Sequence, residues 1–217
     1  MIAFKPYRLR KIASHLPITP IILEVGAGFH SPSITRKYIP HCVYYGIEKP
    51  GYEGINSTPN TRDDLDCIDR HILTDLEQWP NLEEHGVREK MFDAVIAANT
   101  LEHLAPATAK FYLTRLPQFL KLGGVFYVEV PSHRVFKCWL PSNYDGIEHR
   151  AFLDLADLIN PILSTCEILE AGTRRDWRNI LRSPLSLPVK LAFMSSYPTE
   201  YTDLLGLSYY VLAKRNR

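Results

Sequence analysis

Cysteine is scarce and scattered: the 217 residues hold four, Cys42, Cys67, Cys138 and Cys166, with no CxxC pair and no Cys/His ligand cluster. That spacing supplies neither a zinc-ligand cluster nor the framework of a disulfide-stapled domain, so no metal site is expected and the thiols are read as reduced, in a cytoplasmic setting. A surplus of charge of either sign is also missing. Lys plus Arg number 25 against 24 for Asp plus Glu, a formal net charge of +1, which gives no global pull toward nucleic acid or an anionic membrane. No apolar run approaches the ~20 residues that span a bilayer. The opening MIAFKPYRLRKIASHL has no long apolar stretch followed by a small-residue cleavage site, so neither a transmembrane segment nor an export signal is expected. Internal repeats and low-complexity tracts are lacking too.

What is present suits a globular chain. Apolar residues make up 46% of the sequence, enough for a sizeable core in one α/β domain over residues 1–217. Bases gather at the two ends. Lys5, Arg8, Arg10 and Lys11 lie in the first twenty residues without an acid, and residues 171–217 hold eight bases against Asp176, Glu200 and Asp203. Such ends suit a solvated face, or a site for an acidic ligand or lipid headgroup.

Ile21 to Ser31 reads IILEVGAGFHS. Ile21, Ile22, Leu23 and Val25, interrupted only by Glu24, predict a buried parallel strand that stops at Gly26, Ala27 and Gly28. Lacking a Cβ, Gly26 and Gly28 let the backbone turn sharply and let a ligand approach the main chain, although the same signal suits an ordinary strand-to-helix turn. Upstream, bases alternate with Tyr7, Leu9, Ile12 and Leu16 at helical spacing, predicting an N-terminal helical cap over 1–17 ended by Pro17 and Pro20. Downstream, Ser33 to Tyr38 predicts a first helix with Ser31 or Ser33 as N-cap. Cys42 to Ile47 predicts a second strand, and Glu48 follows it, 20 residues after Gly28, where a doubly wound fold places the acid that receives ribose hydroxyls.

Lys49 to Thr61 has loop composition, Asp63 to Asp69 suits a short helix, and Ile72 and Leu73 a third strand, leaving Asp75 at a strand end or as a helix cap. Phe92 to Ala98 predicts a fourth strand that delivers Asn99, Glu102 and His103 to the carboxyl edge of the sheet. Pro106 to Leu122 carries a helical stripe kinked by Pro117 and ended by Gly123 and Gly124, ahead of a fifth strand, Val125 to Val130. Residues 131–150, with Trp139, Tyr144 and Asp145, predict a lid-like loop. Phe152 to Ile159 predicts an amphipathic helix, Cys166 to Leu169 a sixth strand, residues 174–207 an insertion on the substrate side, and Ser208 to Ala213 a seventh strand. The expected fold is therefore α/β, a Rossmann-like, mostly parallel sheet of seven strands with helices on both faces.

These segments together resemble the class I S-adenosylmethionine-dependent methyltransferases, over roughly residues 18–170 plus the last strand. The likeness rests on EVGAG at Glu24 to Gly28, GIE at Gly46 to Glu48, LTDL at Leu73 to Leu76, FDAVIAANTLEHL at Phe92 to Leu104 and LKLGGVFYVEVP at Leu120 to Pro131, in that order and spacing. It implies an antiparallel last strand and S-adenosyl-L-methionine as cofactor. It further implies that Gly26, Ala27 and Gly28 approach the methionine part and that Glu24 helps hold that region. Glu48 would then bind the ribose hydroxyls, Asp75 and Leu76 flank adenine, and the peptide around Asn99 contact the methionine part. The FDxVxxxxxLEHL pattern is similar to the branch that holds ubiquinone-biosynthesis O-methyltransferases and many small-molecule enzymes. NYDGIEHRAFLDLADLI is similar to a pattern in methyltransferases of glycan and cell-surface biosynthesis. The acceptor implied is a small molecule or a saccharide-linked group. His30 stands where the family's third glycine would be, so either an imidazole lies near the cofactor or the loop takes another path.

Methyl transfer asks little of the protein. A sulfonium methyl is already electrophilic, so the site must align a nucleophile, exclude water and, for a hydroxyl or amine acceptor, remove a proton. Histidine is suited to that last task, and the candidates in order of expectation are His133, His149 and His103. Two other readings compete. A nicotinamide-dependent oxidoreductase would want G-x-G-x-x-G, but position 31 is Ser. A catalytically silent binding protein on the same fold would be consistent with His30. Nucleic-acid methylation is not expected, since AANT rather than an NPPY-like motif follows the fourth strand and no basic domain is appended.

Overall fold

The computed structural model describes residues 5–28, 31–50, 66–131, 150–174 and 208–216. The predicted lid over 131–150, apart from its two end residues, lies outside the described residues, as do all but the first residue of the 174–207 insertion, most of the 49–61 loop, His30, His133, Tyr144, Asp145 and His149.

Seven strands form one sheet in the order β3-β2-β1-β4-β5-β7-β6. They are β1 (Ile21–Val25), β2 (Val43–Glu48), β3 (Arg70–Leu73), β4 (Phe92–Ala98), β5 (Leu120–Pro131), β6 (Cys166–Arg174) and β7 (Ser208–Arg215). The neighbours β3-β2, β2-β1, β1-β4 and β4-β5 run parallel, and β7 runs antiparallel between β5 and β6. β1 is flanked by parallel strands on both edges, which explains its near-continuous apolar run. The chain winds outward from β1 through β2 to β3 and then crosses to the other side of β1 to lay down β4. This reversal creates a crevice at the carboxyl ends of β1 and β4, the place where open α/β sheets bind ligands.

Helices cover both faces. On one side α1 (Lys5–Ala13) and α2 (Ser31–Tyr38) bracket a core of Leu9, Ile12, Ile22, Tyr44, Ile96, Tyr127 and Leu212. On the other, α3 (Pro106–Arg115) and α4 (Leu155–Ile159) close over Leu23, Val95, Phe126 and Val128 with Tyr112, Leu113 and Leu158. Alternate residues of each strand feed the two cores, as the pleat requires.

Several boundaries differ from expectation, each for a local reason. The helix expected to run kinked to Leu122 ends at Arg115, and Leu116–Phe119 tightens into a 3-10 turn. Pro117 has no N–H to bond the carbonyl four residues back, and its ring crowds that carbonyl. β5 then begins at Leu120, so Gly123 and Gly124 lie inside a strand instead of ending a helix. Phe92 pairs with Leu120 while Ala94 pairs with Val125, so β5 bulges by three residues there. α2 begins at Ser31, which is a helical residue and not the cap, and α4 begins only at Leu155. Asp154 and Asp157 fix that start by exchanging side-chain to backbone hydrogen bonds of 3.0 and 2.9 Å. Asp66 to Asp69, the described part of the helix expected over 63–69, is a turn and bend. β6 and β7 run longer than predicted, to Arg174 and Arg215.

Candidate functional site

The strand register brings the sequence-predicted residues to one edge. Val25 pairs with Ile47 on one side and Ala97 on the other, and Glu48 pairs with Leu73. Glu48, the last residue of β2, and Gly26, Asp75 and Asn99, just past β1, β3 and β4, therefore lie at the carboxyl ends of four adjacent parallel strands. The Gly26 and Ala27 amides donate to the Ile47 carbonyl at 2.9 and 3.2 Å, and the Thr74 amide donates to the Glu48 carbonyl at 2.8 Å.

Gly26 is required twice over. Its φ of +71° lies in the left-handed region, and a Cβ built there would sit 2.1 Å from Thr100 Oγ1. Thr100 is the clasp across the switch point: its hydroxyl donates to the Val25 carbonyl at 3.0 Å, with the Ala98 carbonyl at 3.3 Å. At Gly28 the neighbour is Glu48, whose Oε1 would lie 3.4 Å from an added Cβ. The missing side chain leaves room between the glycine turn and that carboxylate.

Glu24 is buried beneath the turn and tied down from four directions. Arg8 Nη2 and Ser31 Oγ donate to its Oε1 at 3.2 and 2.5 Å, and Tyr44 Oη and Thr35 Oγ1 donate to its Oε2 at 2.7 and 3.5 Å. Burial and then the Glu24 charge drive the Tyr44 phenol pKa well above its ordinary value, so Tyr44 stays a donor. This carboxylate binds α1, α2 and β2 to β1 and thereby holds the strand from which the glycine turn departs.

Each of the two edge acids has a basic neighbour. His71 Nε2 lies 3.6 Å from Glu48 Oε2, and Lys49 Nζ lies 3.1 Å from Asp75 Oδ2. Asp75 also caps the 3-10 turn Leu76–Gln78 by accepting from the Glu77 amide at 3.0 Å, so both of its expected structural settings coincide. Leu76 is buried. Asn99 adopts φ +54°, a conformation asparagine tolerates, and its amide donates to the Glu129 carbonyl at 2.8 Å.

His103, the one candidate proton acceptor among the described residues, closes a 3-10 turn at Leu101–His103 directly after β4. Its Nε2 stands 3.9 Å from Oε1 of the buried Glu102. The Glu102 carbonyl accepts from the Arg150 and Ala151 amides at 2.8 and 2.9 Å, which returns the chain to this edge ahead of α4. Burial pushes the Cys42 and Cys166 thiols up to about 11, so neither offers a ready thiolate. Among the described residues no three His, Cys, Asp or Glu side chains are grouped to hold a metal ion, and no helix is long and apolar enough to cross a membrane.

Two acids escaped the sequence reading. Glu77 accepts from the Ala105 amide at 2.5 Å, from Thr108 Oγ1 at 3.0 Å and from Arg150 Nη1 at 2.9 Å, joining the 3-10 turn to the start of α3 and to the segment before α4. Glu129 is buried near the end of β5. The available signal was an acid inside the apolar run VFYVEV, which a core strand does not need.

No protein-family model and no curated protein matches the sequence. Solved structures do match its fold. A candidate methyltransferase of Bacillus halodurans C-125 is 18% identical, with 97% of this chain and 98% of that one covered and a TM-score of 0.62. The 1,6-didemethyltoxoflavin-N1-methyltransferase of Burkholderia thailandensis, solved with 1,6-didemethyltoxoflavin and S-adenosylhomocysteine, is 14% identical over 99% and 79%, with a TM-score of 0.61. The [4+2]-cyclase SpnF is 15% identical over 96% and 80%, with a TM-score of 0.58. The chain thus has the Rossmann-like fold of the class I methyltransferases, a fold that also carries a cyclisation.

Proposed function

We propose that this chain, as one domain over residues 1–217, is an S-adenosylmethionine-dependent methyltransferase. It transfers the methyl group to oxygen or nitrogen of a small-molecule or saccharide-linked acceptor in the cytoplasm. One observation carries the reading: the glycine turn, Glu48, Asp75 and Asn99 line one carboxyl edge on either side of the switch point, in the chain order that the methyltransferase likeness requires. The residues present suit that cofactor. Glu48 is an acceptor for ribose hydroxyls, Gly28 leaves the space above it open, and Asp75 with Leu76 offers a polar and an apolar neighbour for the base. The peptides of Gly26 to Gly28 and of Asn99 approach the methionine part. When bound, the cofactor supplies a methyl group made electrophilic by its sulfonium.

What remains for the chain is to place the acceptor and take its proton. His103 lies just past β4, with the Glu102 carboxylate near enough to attract the charge an imidazole gains with a proton. His133 and His149 hold the same role in the sequence reading. Calorimetry with S-adenosylhomocysteine tests the proposal. Micromolar binding that the Glu48→Ala variant weakens is the expected result, and NAD binding without any response to S-adenosylhomocysteine overturns it. The [4+2]-cyclase neighbour, a chain of this fold named for a cyclisation, favours a second reading, a binding protein on this fold that transfers no methyl group. Release of S-adenosylhomocysteine with any acceptor in a broad panel decides against that reading. His133→Ala and His103→Ala are expected to leave cofactor affinity intact, and the one that removes the base is expected to lower turnover by about a hundredfold or more.

A further inference from the structure

Glu77 stands where three elements meet. Its amide donates to Asp75 Oδ1 at 3.0 Å, which makes it part of the turn assigned to the base of the cofactor. Its Oε1 accepts from the Ala105 amide at 2.5 Å and its Oε2 from Thr108 Oγ1 at 3.0 Å, both at the start of α3. The N-cap of that helix is Ala105, whose side chain has no oxygen to offer the free amides of the first turn. Glu77, 28 residues upstream, supplies an acceptor there and sets its negative charge against the positive end of the helix. Two residues on, Trp79 packs against Phe111 with ring centroids 4.4 Å apart, and Phe111 follows Thr108 by three positions on the same face of α3. Trp79 holds φ +53°, so this packing offsets a backbone cost of about 1–2 kcal/mol. The Asp75 turn is thus fastened to α3 at both of its ends.

Arg150 ties the third element to the same carboxylate. Its Nη1 donates to Glu77 Oε1 at 2.9 Å, while its amide and that of Ala151 donate to the Glu102 carbonyl at 2.8 and 2.9 Å. The chain that returns to the carboxyl edge ahead of α4 is therefore held at two points, the peptide beside His103 and a carboxylate carried by the Asp75 turn. The Arg150 and Glu77 side chains are 45% and 22% exposed, so water solvates both charges when the pair parts. A contact of this kind opens and closes at little cost, and its state follows that of the turn.

We infer that Glu77 is a positioning residue that couples the two sides of the site: a base seated on Asp75 and Leu76 steadies the turn, the turn holds Glu77 against Arg150, and the chain entering α4 is fastened as the cofactor binds. The inference rests on the methyltransferase reading, which seats the base at that turn. It gives the reaction an order, cofactor before acceptor, because the segment beside His103 is set in the loaded protein. The coupling is reciprocal: the factor by which the cofactor favours the closed pair is the factor by which the closed pair favours the cofactor.

Hydrogen exchange of the Ala151 amide, measured by NMR on the full chain with and without saturating S-adenosylhomocysteine, tests this. In the wild-type protein the ligand is expected to slow that exchange by about tenfold, beyond any slowing shared with the β6 amides, which report opening of the sheet. Arg150→Met, which removes the pair at a half-exposed position, is expected to leave less than about threefold of that extra slowing and to weaken S-adenosylhomocysteine by no more than about tenfold. Glu77→Gln, which keeps an oxygen for the Ala105 amide but gives up the charge, is expected to act in the same direction, and Arg150→Met carries the test should the glutamine variant fail to fold. A wild-type protein that binds S-adenosylhomocysteine without extra slowing at Ala151 overturns the inference. So does an Arg150→Met variant that keeps the wild-type slowing, or a Glu77→Gln variant that melts at lower temperature yet keeps it, because Glu77 would then be a helix cap alone. Failure of the wild-type protein to bind S-adenosylhomocysteine removes the methyltransferase reading and this inference with it.

Discussion

On the near side of the switch point, Glu24 gathers donors from residues 16 positions before it to 20 after it, and the glycine turn above departs from a strand held by α1, α2 and β2. On the far side, Glu129 keeps hydroxyls from its own strand and from a strand already zipped to it. Both acids are buried on one face of one sheet, two strands apart. Burial is common to the two acids; they differ in whether the described donors bring in elements that the backbone ladder leaves loose. By that measure the Glu24 carboxylate draws three further elements onto β1, the cradle under the glycine turn, while the two described hydroxyls on Glu129 come from strands that the β5–β7 ladder already joins.

The sharpest way to break this comparison is to remove each acid in turn. Glu24→Ala leaves the Arg8 guanidinium buried without its carboxylate, a loss of about 3–5 kcal/mol, read by urea denaturation. Glu129→Ala, which strands the hydroxyls of Tyr127 and Ser208, is expected to cost about 1–3 kcal/mol. Equal losses would mean that the two acids do the same job. The cradle can also be broken from above. Gly26→Ala is expected to destabilise by about 3 kcal/mol, from a left-handed backbone and a Cβ forced onto Thr100. Adding Thr100→Ala removes the Oγ1 and Cγ2 clashes but leaves the residue-100 Cβ 2.9 Å away and the ~1–2 kcal/mol of backbone strain. Full recovery in that double variant would show that the turn does not need glycine.

How much of this was readable beforehand follows the same division. The β1 side depends on local signals: the apolar run Ile21–Val25, the glycines directly after it, and acids at strand ends. The sequence therefore placed Gly26, Glu48 and Asp75 at the edge the structure gives them, and it placed β4 residue for residue at Phe92–Ala98. The four donors to Glu24 and the roles of Glu77 and Glu129 depend on register between distant strands, which no local period encodes. β5 misled for a related reason. LKLGG looks like a helix ending on glycine, and only its pairing with Phe92 across a three-residue bulge makes it strand. Pro117 suits a kink in sequence because helices sometimes survive proline, whereas here the adjoining strand takes up the chain three residues later.

A smaller effect tests whether the cradle binds the cofactor or only supports the edge. Glu48→Ala is expected to weaken S-adenosylhomocysteine by roughly 10- to 100-fold, the worth of hydrogen bonds to a charged acceptor, with folding stability changed by less than about 0.5 kcal/mol. Asp75→Ala is expected to lower affinity less and stability more, because its carboxylate also caps the Leu76–Gln78 turn. Calorimetry beside thermal melts separates the two, and identical behaviour of both variants would place them in one structural role.

The smallest effect concerns how α1 is held over the β6–β7 side. Lys11 pairs with Glu170, whose Oε1 also accepts from Tyr210 Oη at 2.5 Å. The hydrogen bond from Lys11, followed by that from Tyr210, holds the Glu170 carboxyl below its ordinary 4.5. Burial pulls the Lys11 ammonium down, but its hydrogen bonds to Glu170 and Tyr7 outweigh that and leave it above 10.5. A depressed acid contributes stability above its unfolded value and loses it as pH falls through its folded one. A raised base contributes below its unfolded value and loses it as pH climbs through its folded one. Burial and then the hydrogen bond to Glu170 also raise the Tyr210 phenol above its ordinary 10.0, so the stability difference between wild type and Glu170→Gln should stay flat between 4.5 and 10.0 and shrink beyond either limit. The pair is partly solvated, so the plateau is expected below about 1 kcal/mol. Hydrogen exchange of the α1 amides reads it directly. A plateau that instead slopes through neutrality would mean that another titrating group holds α1 in place, and the Arg8–Glu24 pair at the other end of that contact would be the next to replace.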